Sequence, residues 1–457
     1  MAVSWLYGDG ELSHLSVTFA AALLAGFLLW LPLLRRPYPI RNRDGFVIVA
    51  IMWIVMSVLG ALPFMLGLGM SFVDAFFEAT SGYTTTGSTV IVGLDHLAPA
   101  ILFYRQEINW LGGIGVIVLA VALLPMLRIG GMQLYRAETP GPVKDERITP
   151  RIAGTARTLC VLYAWMTLAC AVCYWLAGMS PFDAIAHSFA TLATGGFSTH
   201  DASFGYFDSP AIEAVGVVFM LLAGISFNVH FLAWRSLRLK AYAESTETRV
   251  FLVVVAALIA FIALVLYSTG AKASAFDAVR SAAFEVATVI TNTGFGVDDF
   301  SLWPLALPVI LIFASIMGGC AGSTAGGMKV IRFVIVGKQA VAYVRRLIHP
   351  RAVLPIKVDG RVVPEAVTVG VAGFFAIYVG VYALAMLLLM MDGMNQVTAF
   401  GAVAACLNNL GPGLGDVAVN FAAVTPESKV LLSITMLLGR LEIFTFLVLL
   451  TPEFWTN

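Results

Sequence analysis

The sequence predicts an all-α membrane protein of four pseudo-symmetric repeats, each a helix, a short re-entrant helix and a second helix, with one leading N-terminal helix. Three observations predict it. Of 457 residues, 60% are hydrophobic and 12% are charged, more apolar surface than a water-exposed fold can hide. The basic residues are confined to a few segments, and one short pattern recurs four times.

A helix needs about 20 apolar residues to cross a bilayer. Runs of that kind start near positions 15, 46, 107, 156, 212, 249, 304, 362 and 429, giving nine expected spans. The first has no basic n-region and no A-x-A-like cleavage site, so it is expected to stay in the chain. Cys160, Cys170, Cys173, Cys320 and Cys406 all lie in apolar stretches. They read as small buried hydrophobes, and the CxxC spacing of Cys170 and Cys173 has no His or acidic neighbours to make a metal site.

Lys and Arg crowd into 35–43, 128–157, 235–249 and 329–361, leaving outside only Arg105, Lys272, Arg280, Lys429 and Arg440. The loops between carry Asp95, Asp201, Asp208, Asp298, Asp299, Asp416 and Glu427 instead. The positive-inside rule makes the basic segments cytoplasmic and puts the short polar stretch SGYTTTGSTV, residues 81–90, on the outer side.

That stretch recurs. Glu78-ATSGYTTT-Gly87 aligns with His187-SFATLATG-Gly196, Glu285-VATVITNT-Gly294 and Ala402-VAACLNNL-Gly411. Upstream, Asp74, Asp183, Asp277 and Asn395 open a segment of about a dozen residues, too short to span, and are expected as its N-caps. Downstream, WLGGIG, LLAGIS, IMGGCAG and LLGRLE also align. The expected organisation is 1–44 leading helix and basic loop, 45–130 first repeat, 131–240 second, 241–345 third with a broken second helix, and 346–457 fourth. Each repeat crosses the membrane twice, so all four share one orientation and fit around one axis, with a central pore along it. Inverted carrier repeats need an odd number of crossings.

Irregular backbone at membrane depth survives only when buried in protein or lining a wet cavity. The four loops hold glycines free to adopt positive φ and no carboxylate, so their carbonyl oxygens suit a bare monovalent cation better than a divalent one. No Lys or Arg lies there to attract an anion. Glu78 and Glu285, one half-helix back, either add negative potential or brace the loops by hydrogen bonds. His187, at the equivalent position, reads as a structural hydrogen-bonding residue.

Below the loops, GGCAGSTAGG at 318–327 is too rich in small residues to hold a lipid-facing helix and reads as a break lying in the pore, a candidate gate. Close small-residue helix packing is the alternative. Arg440 stands where the other repeats have Gly113, Gly224 and Gly319. An arginine near mid-bilayer costs roughly 2.5–3.5 kcal/mol, so it is expected to face the cavity as a positive barrier or to clamp a partner group.

These loops, the span WLGGIGVIVLAVALLP and the stretch LYRAETPGPVKDERITPRIAGTARTL together resemble the Trk/Ktr/HKT superfamily of potassium transporters, in particular the bacterial Trk-H/Trk-G type. The resemblance covers nearly the whole chain. It implies potassium uptake across the bacterial inner membrane by a homodimer, regulated by a cytosolic nucleotide-binding subunit of Trk-A type, with no cofactor beyond the transported K⁺ and no nucleic-acid partner. It also implies ion coordination at Thr85, Thr86, Gly87, Thr194, Gly195, Gly196, Asn292, Thr293, Gly294, Asn409, Leu410 and Gly411. The gate maps onto Gly318, Gly319, Gly322, Ser323, Thr324, Gly326, Gly327 and Arg440. In plant relatives a serine replacing the first filter glycine favours sodium; Gly87 points to potassium. The family pattern has two helices before the first repeat, whereas one span is expected here, ending near LPLLRR.

The rival class is a secondary carrier for a small organic solute, which needs a bulky midplane pocket. An intramembrane enzyme needs a nucleophile with a base or a His/Asp/Glu metal cluster, and the six histidines are scattered.

Overall fold

Ser71, Ser180, Ser274 and Asn395 each accept the backbone N–H three residues on, from Asp74, Asp183, Asp277 and Thr398, at 3.2, 3.1, 3.0 and 2.9 Å. Each thereby starts a short helix. In three of the four, the serine hydroxyl also donates to the aspartate carboxylate at 2.7–2.8 Å. The aspartates expected as caps therefore stand at N3, because the shorter serine side chain is the one that reaches the free N–H. Only Asn395 caps as expected.

The computed structural model describes residues 1–33, 44–118 and 149–456. A short helix α1 (Ala2–Tyr7) and α2 (Leu12–Trp30) lead. Then come α3 (Asp44–Leu68), α4 (Phe72–Tyr83) and α5 (Pro99–Val118), followed by α6 (Thr149–Leu176), α7 (Pro181–Ala193), α8 (Pro210–Gly224) and α9 (Phe227–Ser236). The chain continues with α10 (Thr246–Ser268), α11 (Ala275–Ile290), α12 (Leu307–Met317) and α13 (Val330–Ile348). It ends with α14 (Glu365–Met391), α15 (Gln396–Leu407), α16 (Pro426–Arg440) and α17 (Phe444–Leu447) before two final short turns. The expected boundary at 130/131, the basic segment 35–43 and most of 128–157 lie outside the described residues.

The motif long helix, half-helix, helix thus occurs four times, with half-helices α4, α7, α11 and α15 of 12, 13, 16 and 12 residues. Among the described residues, α2, α3, residues 154–176 of α6, α10 and α14 are long and apolar enough to cross a membrane. This is a multi-pass membrane architecture. None of α2 is buried, and its Leu23, Leu24, Leu28 and Leu29 project outward, as a helix surrounded by acyl chains would. The half-helices are the opposite: Ala75, Phe77, Ala186, Ala190, Ala282, Val286, Ala402 and Ala405 are all inaccessible. Small alanines let four short helices crowd together.

The second helices were expected to break only in the third repeat. In fact α8 and α9 meet at 97° and the α16 pair bends by 108°, besides the 318–329 interruption between α12 and α13. Extended Ile225 and Ser226 turn the first corner. Glu442 and Ile443, at φ 55° and 52°, turn the second. Single residues of this kind leave no compositional trace, unlike ten consecutive small ones. A hairpin of Lys357–Val358 with Arg361–Val362 closes on Asp359 and Gly360, both at positive φ, and the Asp359 carboxylate accepts the Thr246 N–H at 2.7 Å where α10 begins.

Candidate functional site

Each half-helix ends in the same way. Thr85, Thr194, Asn292 and Asn409 hold left-handed backbone at φ 52°, 52°, 56° and 56°. The next residue in each case, Thr86, Gly195, Thr293 and Leu410, donates its N–H back to Ser81, Ala190, Thr288 and Ala405 at 2.8 Å. This is a Schellman stop built on non-glycine residues. A left-handed threonine or asparagine costs on the order of 1–3 kcal/mol and persists only where its surroundings force it. At the two asparagines they do: Asn409 Nδ2 donates to Thr86 Oγ1 at 2.9 Å and to the Met436 carbonyl at 3.1 Å, and Asn292 Nδ2 to the Ser315 carbonyl at 3.0 Å.

Two residues on, Gly87, Gly196, Gly294 and Gly411 are also left-handed, at φ 84°, 67°, 82° and 101°. These glycines close a ring. A β-carbon on Gly87 would meet the Gly195 carbonyl oxygen at 2.4 Å, on Gly196 that of Thr293 at 1.9 Å, on Gly294 that of Leu410 at 2.0 Å, and on Gly411 that of Thr86 at 2.8 Å. Each glycine thus abuts the carbonyl one position upstream of its counterpart in the next repeat, and the fourth returns to the first. Alternating left-handed residues and close cyclic contact bring four strands of backbone to one axis.

The expected braces are present. Glu78 accepts from the Val90 N–H and the Thr89 hydroxyl at 2.9 Å, and Glu285 from the Val297 and Asp298 N–H groups at 3.1 Å. His187 bonds the Asp183 carbonyl through Nδ1 at 2.9 Å and the Ser198 hydroxyl through Nε2 at 3.0 Å. The fourth repeat has Ala402 there and packs backbone directly instead: a β-carbon on Gly401 would meet the Leu414 nitrogen at 2.2 Å.

The segment 318–329 folds back on itself. Its neck is closed by Met328 N–H to the Ile316 carbonyl at 2.9 Å and Val330 N–H to the Gly319 carbonyl at 3.0 Å. Its tip reaches the underside of the ring: the Thr324 hydroxyl donates to the Leu192 carbonyl at 2.9 Å, and the Gly327 N–H to the Asn408 carbonyl at 3.0 Å. Arg440 Nη1 donates to the Thr324 carbonyl at 3.0 Å. The other four basic residues outside the basic segments all meet carboxylates: Arg105 with Glu78, Lys272 with Asp298, Arg280 with Glu213, and Lys429 with Asp74. Among the described residues Arg440 meets none, and its Nε and Nη2 are buried without a partner.

Sequence reasoning passed over two residues beside the ring. Arg105 binds Glu78 at 2.9 Å, donates to the Ser198 carbonyl at 2.9 Å and lies 4.2 Å over the Phe197 ring, tying the first loop to the second. A buried arginine in an apolar run was the available signal. The Asn109 amide fills the place of a side chain at Gly195, lying 2.6–2.8 Å from where its β-carbon would be.

The model of the TrkH family, described as cation transport protein, matches residues 13–455. The Trk system potassium uptake protein TrkH of Vibrio parahaemolyticus is 51% identical, covering 100% of this chain and 95% of its own length. The TrkH of Escherichia coli is 48% identical over 99% of this chain and 94% of its own, and the TrkG of the same species 39% over 100% and 94%. The crystal structure of the potassium transporter TrkH from Vibrio parahaemolyticus superposes with a TM-score of 0.93 at 48% identity, covering 99% of this chain and 94% of that one. A nearly full-length family match, relatives around half identical and a shared fold place this chain in the TrkH family of cation transport proteins.

Proposed function

We propose that this protein takes up potassium across the bacterial inner membrane through a central pore whose filter is the ring of four loops. The observation that carries this reading is the cyclic contact of Gly87, Gly196, Gly294 and Gly411 with the carbonyls of Gly195, Thr293, Leu410 and Thr86. Oxygens brought together in that way replace the hydration shell of a bare K⁺, and the ring segments carry no carboxylate to favour a divalent ion. Thr85, Thr194, Asn292 and Asn409 aim the carbonyls, while Glu78, Glu285 and His187 hold the exit strands.

Beneath the filter, the loop from Gly318 to Lys329 obstructs the path. Gly318, Gly319, Gly322, Gly326 and Gly327 let it fold tightly, Ser323 and Thr324 bond it in place, and Arg440 both clamps it and repels cations. The filter side faces the periplasm and the basic segments face the cytoplasm, where a Trk-A-type nucleotide-binding subunit acts on a homodimer of this chain. The names of the relatives and the positive-inside asymmetry support this arrangement.

The test is growth of a potassium-uptake-deficient bacterium at low external potassium, with the cytosolic subunit supplied, together with K⁺ flux into liposomes. Rescue by the wild type and loss on Gly294→Ala is expected. Absence of rescue despite membrane expression, with transport of an organic solute instead, would favour the carrier reading.

A further inference from the structure

One carboxylate outside the 318–329 loop holds both of its ends. Glu247, in the first turn of α10, accepts the Ala321 N–H at 2.8 Å and the Ile331 N–H at 3.0 Å through the same oxygen, Oε1. Ala321 lies just inside the start of the loop, and Ile331 is the second residue of the helix that follows it.

The need for such an acceptor follows from the local sequence. Lys329, at the N-cap position of α13, has φ 78° and makes no side-chain cap, because an ammonium group only donates. The first N–H groups of α13 therefore need an acceptor from elsewhere. A carboxylate is favoured at that position by the helix dipole as well as by hydrogen bonding. Glu247 is in effect a cap borrowed from another helix, and it is 8% exposed. By also taking the Ala321 N–H, it fixes the spacing between the two limbs of the loop.

We propose that Glu247 is the positioning residue of the intramembrane loop: a staple on both limbs of its neck, which must yield before the loop can leave the pore. This rests on reading the loop as the gate. The other bonds of the neck, Met328 to Ile316, Val330 to Gly319, Cys320 to the Gly224 carbonyl and Phe227 to the Gly322 carbonyl, are neutral backbone pairs, and those at the tip join the loop to Leu192, Ala223, Asn408 and Arg440. Glu247 supplies the only carboxylate contact to the loop backbone among the described residues.

Cys320 lets the position of the loop be read separately from transport. It precedes Ala321 and is fully inaccessible. In liposomes holding the full-length protein, N-ethylmaleimide labelling of the Cys320 peptide is followed by mass spectrometry, K⁺ flux is measured in parallel, and the melting temperature monitors folding. Glu247→Met, similar in size but with no acceptor of comparable strength, is expected to speed Cys320 labelling about tenfold, as loss of a charge-assisted bond pair shifts the closed population. Glu247→Gln retains a carbonyl acceptor and is expected to stay within about threefold of wild type.

Faster labelling with raised basal flux supports both readings. Faster labelling with unchanged flux keeps the staple and removes the gate. Unchanged labelling in a folded Glu247→Met overturns the staple. If that variant does not fold, Glu247→Asp, one methylene shorter and unable to bring an oxygen to the shared acceptor position, decides on the same readout: wild-type labelling in a folded Glu247→Asp overturns the proposal.

Discussion

The carbonyl oxygen of Gly195 lies 2.4 Å from where a β-carbon on Gly87 would sit, so the first and second loops touch through backbone alone. The same relation around the ring is graded: 1.9 Å at Gly196, 2.0 Å at Gly294, 2.4 Å at Gly87 and 2.8 Å at Gly411. All four obstacles are backbone oxygens, which cannot swing aside as a side-chain end can. Alanine at these positions is expected to impair K⁺ transport in that order, with Gly196→Ala and Gly294→Ala abolishing it and Gly411→Ala retaining the most. Gly87→Ser is expected to push back the Gly195 carbonyl and lower K⁺ over Na⁺ selectivity. Flux in K⁺ and Na⁺ gradients checks both; equal damage at all four sites would mean that the shared left-handed φ, not the neighbouring carbonyl, sets the effect.

Gly195 poses the opposite case. Its φ lies outside the left-handed region, and its obstacle is the Asn109 amide rather than backbone. Gly195→Ala alone is therefore expected to disturb the ring and lower transport, and Asn109→Ala, which clears the space, to restore transport in the double variant. Single and double variants measured by the same K⁺ flux assay give a coupling of about 1 kcal/mol or more if the two share the space. Additive losses would show that they act apart.

The two cases show why part of the site was readable from sequence and part was not. Thr85, Thr194, Asn292 and Asn409 lie within a pattern that recurs four times in the sequence, and the half-helix stop they form in the structure is a local property. Arg105, Asn109 and Glu247 escaped because their roles lie in partners far along the chain: Ser198, Gly195 and Ala321. A single buried polar residue in an apolar helix signals that a partner exists without naming it. The serine caps were overlooked for a different reason, since serine and aspartate three residues apart are both good N-terminal signals and only the side-chain reach separates them.

Beyond the second loop of the ring, His200 sits between two carboxylates, 2.5 Å from Asp95 and 3.4 Å from Asp183, and stacks on Tyr206. Partial burial pulls its pKa down, but the hydrogen bonds and charges of Asp183 and Asp95 outweigh it and leave the pKa raised above 6.5. A raised histidine pKa contributes stability that is complete below the unfolded value and is lost as pH rises through the folded one. The melting temperature of the wild type is therefore expected to fall as pH rises from about 6 to about 9, with the histidine component absent in His200→Gln. Parallel curves for the two proteins would show that the pairing contributes nothing.

Arg440 offers the sharpest separation of charge from hydrogen bonding, because it donates to the Thr324 carbonyl and meets no carboxylate among the described residues. At an effective permittivity near 20 a unit charge raises a cation's energy by about 4 kcal/mol at 4 Å and in inverse proportion at greater distance, so a rise of about 2 kcal/mol, roughly a thirtyfold barrier, is the scale expected. If charge dominates, Arg440→Lys keeps basal K⁺ flux near wild type, whereas Arg440→Gln and Arg440→Ala raise it by about that factor. If the clamp on Thr324 dominates, Arg440→Lys and Arg440→Gln, which both keep a donor, stay near wild type and only Arg440→Ala leaks, so Gln against Ala separates the two. Flux unchanged in all three would remove Arg440 from the conduction path, and with it the idea that an unpaired guanidinium is kept in the membrane to face the ion.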